Sequence, residues 1–285
     1  MKYAAINFLI SNQNSDGGWG YAAGQNSIVE PTSAVLLALI ENSSDSRSFG
    51  LAIDWLRRIQ HQDGGWGFNS LDLESSWQTA WAVLVLALTK EGRDASDRGV
   101  KWLLSVKTAQ LSQHEIQDSK KILTIDLKLR GWPWLPGEAS WIEPTALTML
   151  SLGSVNDRAA TERLHEAYRY IQDRRCPGGG WNVGTPTMFN SVLPARAHST
   201  SLVLLALFKV FPGGVHSEDI SILRREMHCD GGILSLAWGL LALRTLGKDD
   251  ALAEDRLSKL QGQNGGWGND PYKTAVVLMA LRGKI

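Results

Sequence analysis

Cysteine is scarce in this chain of 285 residues, and neither sign of charge predominates. The two cysteines, Cys176 and Cys229, are too few for a disulfide framework, and their spacing matches no zinc signature. Basic and acidic residues number 29 each, which gives no electrostatic reason to expect nucleic acid or an anionic membrane as the main partner. No apolar run approaches the roughly 18 residues of a membrane span. The start of the chain lacks a signal-peptide pattern, so we expect a cytoplasmic protein.

Tryptophan, in contrast, is abundant, and several of the 12 tryptophans follow a glycine turn. Three turns read Gln-x-x-x-Gly-Gly-Trp-Gly, and three more are worn copies. An interval of 47 residues separates Trp19 from Trp66 and also Trp134 from Trp181. Six such units fill the sequence, so we expect a single domain over residues 1–285. The copies are Gln13–Gly20, Gln60–Gly67, Gln261–Gly268, Gln172–Trp181 with a short insertion, Gly131–Trp134 without the glutamine, and Asp230–Ile233 without the tryptophan.

Each unit has the pattern of an amphipathic helix, a turn, and a helix rich in small apolar residues. A helix that is apolar all round is buried on all sides, whereas an amphipathic helix keeps a solvent face. Six alternating pairs predict an all-α fold, an (α/α)6 toroid with the apolar helices in an inner ring and the amphipathic helices outside. The inner helices should begin near Thr32, Thr79, Thr145, Thr200, Ile233 and Tyr272.

The turn residues have a structural explanation. A glutamine at a helix end can bond unpaired carbonyls, and glycines supply positive φ. The tryptophan then packs beneath the turn with its indole N–H satisfied. We therefore predict that Trp19, Trp66, Trp181 and Trp267 are structural, buried residues. The longer spacing before Trp132, residues 108–130, is either a lid or an extra outer helix.

These repeats resemble those of terpenoid cyclases and protein prenyltransferase β-subunits. The run Trp77-Gln78-Thr79-Ala80-Trp81-Ala82 is similar to the Ser-Gln-Thr-Ala-Trp-Ala of squalene–hopene cyclases. The first unit, with Gly17–Gly20 and Glu30-Pro31-Thr32, resembles the prenyltransferase β-subunits equally well. The resemblance covers the whole chain and is more specific for fold than for chemistry.

The cyclase resemblance implies a proton-donating acid at the start of an inner helix. The middle aspartate of the family's Asp-x-Asp-Asp-Thr-Ala falls on Glu143 and, in the first unit, on Glu30. The flanking aspartates are absent here, and an N-terminal helix acid beside proline is the structural alternative. As a general acid, Glu143 should have a raised pKa because of burial, and His198 could orient or reprotonate it. The expected aromatic and rim residues of the substrate site are Trp77, Trp81, Trp132, Trp134, Trp141 and Tyr272.

The prenyltransferase resemblance would imply zinc, yet the family's Asp-x-Cys is absent and its histidine position holds Lys273. We therefore expect neither a metal site nor a cofactor. Arg196, Lys273 and His198 could instead meet a diphosphate, and Mg²⁺ would be needed only for such a substrate. Solvated rim charges are the alternative.

Three functions follow from the resemblance. The first is an isoprenoid cyclase, an isomerase or lyase acting in a tryptophan-lined central cavity, with Glu143 or Glu30 as acid. The second is a non-catalytic toroid that binds a lipid or a protein. The third is one subunit of a two-chain enzyme, completed by a second toroid or a helical subunit. Peripheral membrane contact is compatible with each of them.

Overall fold

The structure, a computed structural model, describes residues 1–41, 47–155 and 157–284. Within these residues the regular secondary structure is almost entirely helix, and the only strands form one short hairpin. The helices are α1 Lys2–Ser11, α2 Val29–Leu39, α3 Arg47–Arg58, α4 Gln78–Leu86, α5 Arg93–Ser105, α6 Gln113–Ser119, α7 Ile142–Leu152, α8 Arg158–Asp173, α9 Ala197–Val210, α10 Ser217–Asp230, α11 Ile233–Thr245, α12 Ala251–Lys259 and α13 Pro271–Arg282, and the strands are β1 Thr187–Met188 and β2 Ser191–Val192.

Two kinds of helix alternate along the chain, as the sequence predicts. The apolar helices α2, α4, α7, α9, α11 and α13 begin at or within three residues of the predicted starts. Every residue of α2 and of α4 is buried. Helix α3, in contrast, buries Trp55 on one face while Arg57 and Arg58 on the other are exposed. The segment 108–130 contains the additional helix α6, which buries none of its residues.

The described residues form two compact units, and the first comprises Met1–Leu103 with Gly232–Ile285. In this unit the apolar helices pack side by side in the order α11, α13, α2, α4. Helices that keep an exposed face lie on that layer, with α12 against α11, α1 against α13 and α3 against α2. The two segments, distant in sequence, thus share one layer of apolar helices.

The second unit is Leu104–Gly231. Its apolar helices α7 and α9 pack against each other, with α8 on α7 and α10 on α9. The close approach of α7 and α9 depends on Gly153, where a Cβ would lie 2.3 Å from Cγ1 of Val210. That all 285 residues form a single domain stays a prediction.

The turn tryptophans are structural, as predicted. Trp19, Trp66, Trp181 and Trp267 are fully buried. In each, the indole N–H donates to the carbonyl oxygen ten residues earlier, at distances of 2.7–2.8 Å. The backbone N–H of each donates in turn to a threonine hydroxyl in the following apolar helix. The turn therefore joins an amphipathic helix to the apolar helix after it.

The predicted glutamine contacts form in three of the turns. Nε2 of Gln13, Gln60 and Gln261 donates to the carbonyl four residues later and to a carbonyl near the start of the next amphipathic helix. In the fourth turn, Asp219 of α10 instead accepts bonds from Gly180 N–H and from Arg175. The insertion in that turn has replaced the glutamine contact.

In the turn without a glutamine, the tryptophan equivalent to Trp19 and Trp66 is Trp132. Its N–H donates to Thr145 Oγ1 at 2.8 Å, across the spacing of 13 residues found in the first two units. Its ring is 2% exposed and lies under the Arg163 guanidinium, 3.9 Å away. The 47-residue interval of the sequence analysis places Trp134 in this position. That alignment is therefore wrong by two residues.

Candidate active site

A buried carboxylate lies at the start of α2 in the first unit. Glu30 is the second residue of α2 and is only 8% exposed. Thr32, two positions later, is fixed outward by its bond to Trp19 N–H. Two residues correspond to about 200° around a helix, so Glu30 lies on the opposite, inward face. The repeat that anchors Thr32 thereby orients Glu30.

Two tyrosines hold this carboxylate. The hydroxyl of Tyr21, in the loop before α2, donates to Oε2 of Glu30. The hydroxyl of Tyr272, at the start of α13, also bonds to Glu30. Burial, and then the nearby Glu30 carboxylate, raise the pKa of both phenols. Both therefore stay protonated near neutral pH and act as donors to Glu30.

Aromatic rings surround this group. Tyr21 meets Tyr272 edge to face at a centroid distance of 5.5 Å. Trp81 of α4 lies 6.4 Å from Tyr272 and 6.2 Å from Trp238 of α11, and Phe68 lies 6.3 Å from Tyr21. Four neighbouring apolar helices and two loops thus supply one cluster, which we call the aromatic acid site. We define it as Glu30, Tyr21, Tyr272, Trp81, Trp238 and Phe68.

In the second unit, Glu143 occupies the start of α7. Oε1 of Glu143 accepts a bond from Ser199 Oγ at 2.8 Å and lies 3.4 Å from His198 Nδ1. Burial alone would raise the pKa of this carboxyl, but the hydrogen bonds and charge supplied by His198 and Ser199 outweigh it and lower the pKa. The expected raised pKa of Glu143 is therefore wrong, whereas its pairing with His198 is present.

The other predicted site residues lie in different surroundings. Trp132 occupies the structural turn position described above. Trp77 and Trp134 are half-buried, and Arg196 is exposed at the residue before α9. Lys273 forms an ion pair with Asp270 at 3.1 Å, so its charge is already partly balanced within the first unit.

Trp141 lines a cavity in the second unit. The cavity has a volume of about 200 Å³. Trp141 and Tyr170 form part of its wall, and leucines of the segment 108–130 form another part. The tryptophan is half-buried, and its backbone pairs with that of Trp132 in an isolated bridge.

Sequence reasoning missed Tyr21, Trp238, Ser199 and Phe68. Trp238 follows the Leu236 position by two residues, just as Trp81 follows Thr79, and this equivalence could have identified it. Tyr21 and Phe68 lie in loops of unequal length, so the repeat gives no register for them.

Two further observations concern metals and membranes. Within residues 1–41, 47–155 and 157–284, no three His, Cys, Asp or Glu side chains are grouped so that they could hold a metal ion. Across the same residues, none of the helices has the length and apolarity needed to cross a bilayer. The expectation that no cofactor is required stays a prediction.

One family model matches part of the chain. The family model of the squalene–hopene cyclase C-terminal domain matches residues 1–119, which include Glu30 and Trp81 of the aromatic acid site. No curated protein matches the sequence. The match and the fold together support the predicted membership of the terpenoid cyclase superfamily.

Solved structures match over nearly the whole chain. Apo type II terpene cyclase MstE from Scytonema has 18% identity and a TM-score of 0.63, with 98% of this chain and 96% of that chain covered. A variant of MstE bound to geranylgeranyl dihydroxybenzoate has 16% identity and a TM-score of 0.65, with coverages of 99% and 95%. An α-amylase from Clostridium perfringens has 12% identity and a TM-score of 0.71, with coverages of 99% and 96%. Identities this low show the fold alone. The structural matches confirm the predicted all-α toroid class.

Proposed function

We propose that this protein is an isoprenoid-converting enzyme of the type II terpene cyclase kind, with Glu30 as its proton donor. The observation that carries the proposal is the Glu30 carboxyl group, held by the hydroxyls of Tyr21 and Tyr272 within an aromatic cluster. The family match and the terpene cyclase fold favour an enzyme. They leave the reaction to be argued from the site.

The geometry suits the state that follows proton transfer. When a protonated Glu30 gives its proton to an alkene carbon, a carboxylate and a carbocation form together. The two phenolic O–H groups are already directed at the carboxylate, so they stabilise the charge as it develops without reorganising. The faces of Tyr272, Trp81 and Trp238 supply the negative potential that stabilises a cation. Loss of a proton from the cyclised cation completes an isomerisation.

Glu143 is the less suitable acid. His198 and Ser199 favour its ionised form, whereas a general acid must be protonated at the working pH. The acid role that the sequence assigns first to Glu143 is proposed for Glu30, because aromatic rings that can stabilise a cation surround Glu30. Glu143 remains the matched comparison, because it occupies the same position at the start of an apolar helix.

The experiment offers linear isoprenoids, both hydrocarbons and prenyl conjugates, to the purified full chain in D₂O. The expected product is a cyclic isomer that has gained deuterium at the protonated carbon. Glu30→Gln removes the donor while keeping the shape, so turnover should fall by about 10²-fold or more. Glu143→Gln should lower turnover much less.

Several outcomes would contradict this assignment. Undiminished turnover in Glu30→Gln would rule out Glu30 as the acid. Binding without conversion in the wild type would favour the non-catalytic lipid-binding function. Activity only after addition of a second toroid or helical chain would favour the two-chain enzyme. Hydrolysis of a glycoside would show that the chemistry follows the α-amylase match.

A further inference from the structure

Three buried polar groups on α2 and α4 have no hydrogen-bond partner among the described residues. They are Oγ of Ser33, both amide atoms of Gln78, and Nε1 of Trp81. Ser33 and Gln78 are completely buried, and Trp81 is 2% exposed. A buried polar group without a partner loses its hydration and gains nothing in return. Three on two adjoining helices therefore call for a functional explanation.

Helix geometry places Gln78 beside the aromatic acid site. Gln78 precedes Trp81 by three residues, so the two side chains share one face of α4. Trp81 contacts the rings of Tyr272 and Trp238, and that face is therefore the inward one. On α2, Ser33 follows Glu30 by three residues, so these two side chains also share one face of their helix.

The repeat shows which neighbour Gln78 faces. Gln78 directly precedes Thr79, just as Ser199 directly precedes Thr200. From that position Ser199 bonds to Glu143 on the preceding apolar helix. Gln78 accordingly faces α2, the preceding apolar helix in its own unit and the helix that carries Glu30.

Ser33 faces α4 from the other side. Take the threonine near the start of an apolar helix as the reference. The side chain eight positions after it points within about 20° of the side chain directly after it. Arg282, eight after Thr274 on α13, bonds to carbonyls of the following apolar helix, α2. Ser33, directly after Thr32, points in the same sense toward α4. Ser33 and Gln78 thus converge on one interface, next to Glu30.

We propose that these groups form a polar subsite for a neutral, hydroxyl-bearing isoprenoid, a specificity that rests on the proposed function. Trp81 Nε1 donates only, the Gln78 amide both donates and accepts, and the Ser33 hydroxyl does either. A hydroxyl group, which donates once and accepts twice, satisfies this set. The subsite takes a neutral ligand, because the Glu30 carboxyl bonds to Tyr21 and disfavours a diphosphate there.

The test compares prenyl alcohols with hydrocarbons of the same carbon count. Binding of geraniol, farnesol and geranylgeraniol to the purified full chain is measured by quenching of tryptophan fluorescence, beside the matched hydrocarbons. The wild type should bind the best alcohol about 10-fold more tightly than its hydrocarbon. Gln78→Met, similar in shape but without the amide, should lose this preference.

Two serines give a matched control. Ser33→Ala should reduce the preference for the alcohol. Ser96, on α5, also has a buried hydroxyl without a partner in the described chain, and Ser96→Ala should leave the preference unchanged. A cooperative thermal unfolding transition in all three variants would show that each still folds.

The outcomes separate this inference from the proposed function. Equal binding of alcohols and hydrocarbons, as expected if ordered water satisfies these atoms, overturns the subsite. So does a preference that persists in Gln78→Met. In either case, hydrocarbon cyclisation that depends on Glu30 leaves the proposed function intact. Failure of every isoprenoid to bind overturns both.

Discussion

The hydroxyl of Ser199 lies 2.8 Å from the Glu143 carboxylate, with His198 on the same oxygen. In the first unit the equivalent glutamate, Glu30, is held instead by two tyrosines. The same repeat position therefore carries two different electrostatic environments. His198 and Ser199 lower the pKa of Glu143, whereas the partners of Glu30 are neutral phenols.

The first prediction concerns the pH dependence of the Glu143 contact. The folded state lowers the pKa of Glu143, so ionised Glu143 stabilises the fold at pH values above its unfolded pKa of about 4.3. That stabilisation is lost as the pH falls through the lower folded-state value. The stability advantage of the wild type over Glu143→Gln should therefore shrink between about pH 6 and pH 3, measured by urea unfolding.

His198→Ala is the control for this cause. Without the imidazole, the pKa of Glu143 should rise toward its ordinary range, which NMR titration of the glutamate carboxyl carbons would show. An unchanged Glu143 pKa in that variant would mean that His198 does not lower it.

The second prediction concerns the turn tryptophans. Trp66 is fully buried, and its indole N–H donates to Leu56 O at 2.8 Å. Trp66→Ala should lower the free energy of unfolding by about 3–5 kcal/mol, measured by denaturant unfolding. Phe189, which is 69% exposed, supplies the control, because Phe189→Ala should change stability by less than about 0.5 kcal/mol. Equal effects of the two substitutions would refute the structural role.

The repeat explains how much of this molecule its sequence could predict. The spacing of the glycine turns fixes the helix order, because each Trp N–H must meet a threonine one helix later. Side-chain partners in the site follow no such period. Tyr21 and Phe68 reach the site from irregular loops, and the effect of His198 on Glu143 depends on a 3.4 Å contact between helices. The raised pKa expected for Glu143 was wrong for that reason, since burial could be predicted and the pairing energy could not.

The third prediction concerns the threonine whose hydroxyl accepts the N–H of the turn tryptophan. Thr79 Oγ1 accepts the Trp66 N–H at 2.9 Å in a fully buried setting. Thr79→Val keeps the shape but leaves that N–H unpaired, at a cost of about 1–3 kcal/mol. Thr79→Ser retains the acceptor and should destabilise less. If valine and serine had equal effects on the unfolding midpoint, the hydrogen bond would not be what fixes this helix.

The last prediction concerns the two phenols of the aromatic acid site. Tyr21→Phe and Tyr272→Phe keep the rings but remove the O–H donors to Glu30. If the donors stabilise the carboxylate formed by proton transfer, loss of one should lower kcat by about 10²-fold, with little change in KM. Because the two donors share one carboxylate, the double variant should show non-additive loss. Equal turnover in the wild type and both single variants would show that the tyrosines merely pack against Glu30. A large rise in KM with unchanged kcat would instead assign them to substrate binding.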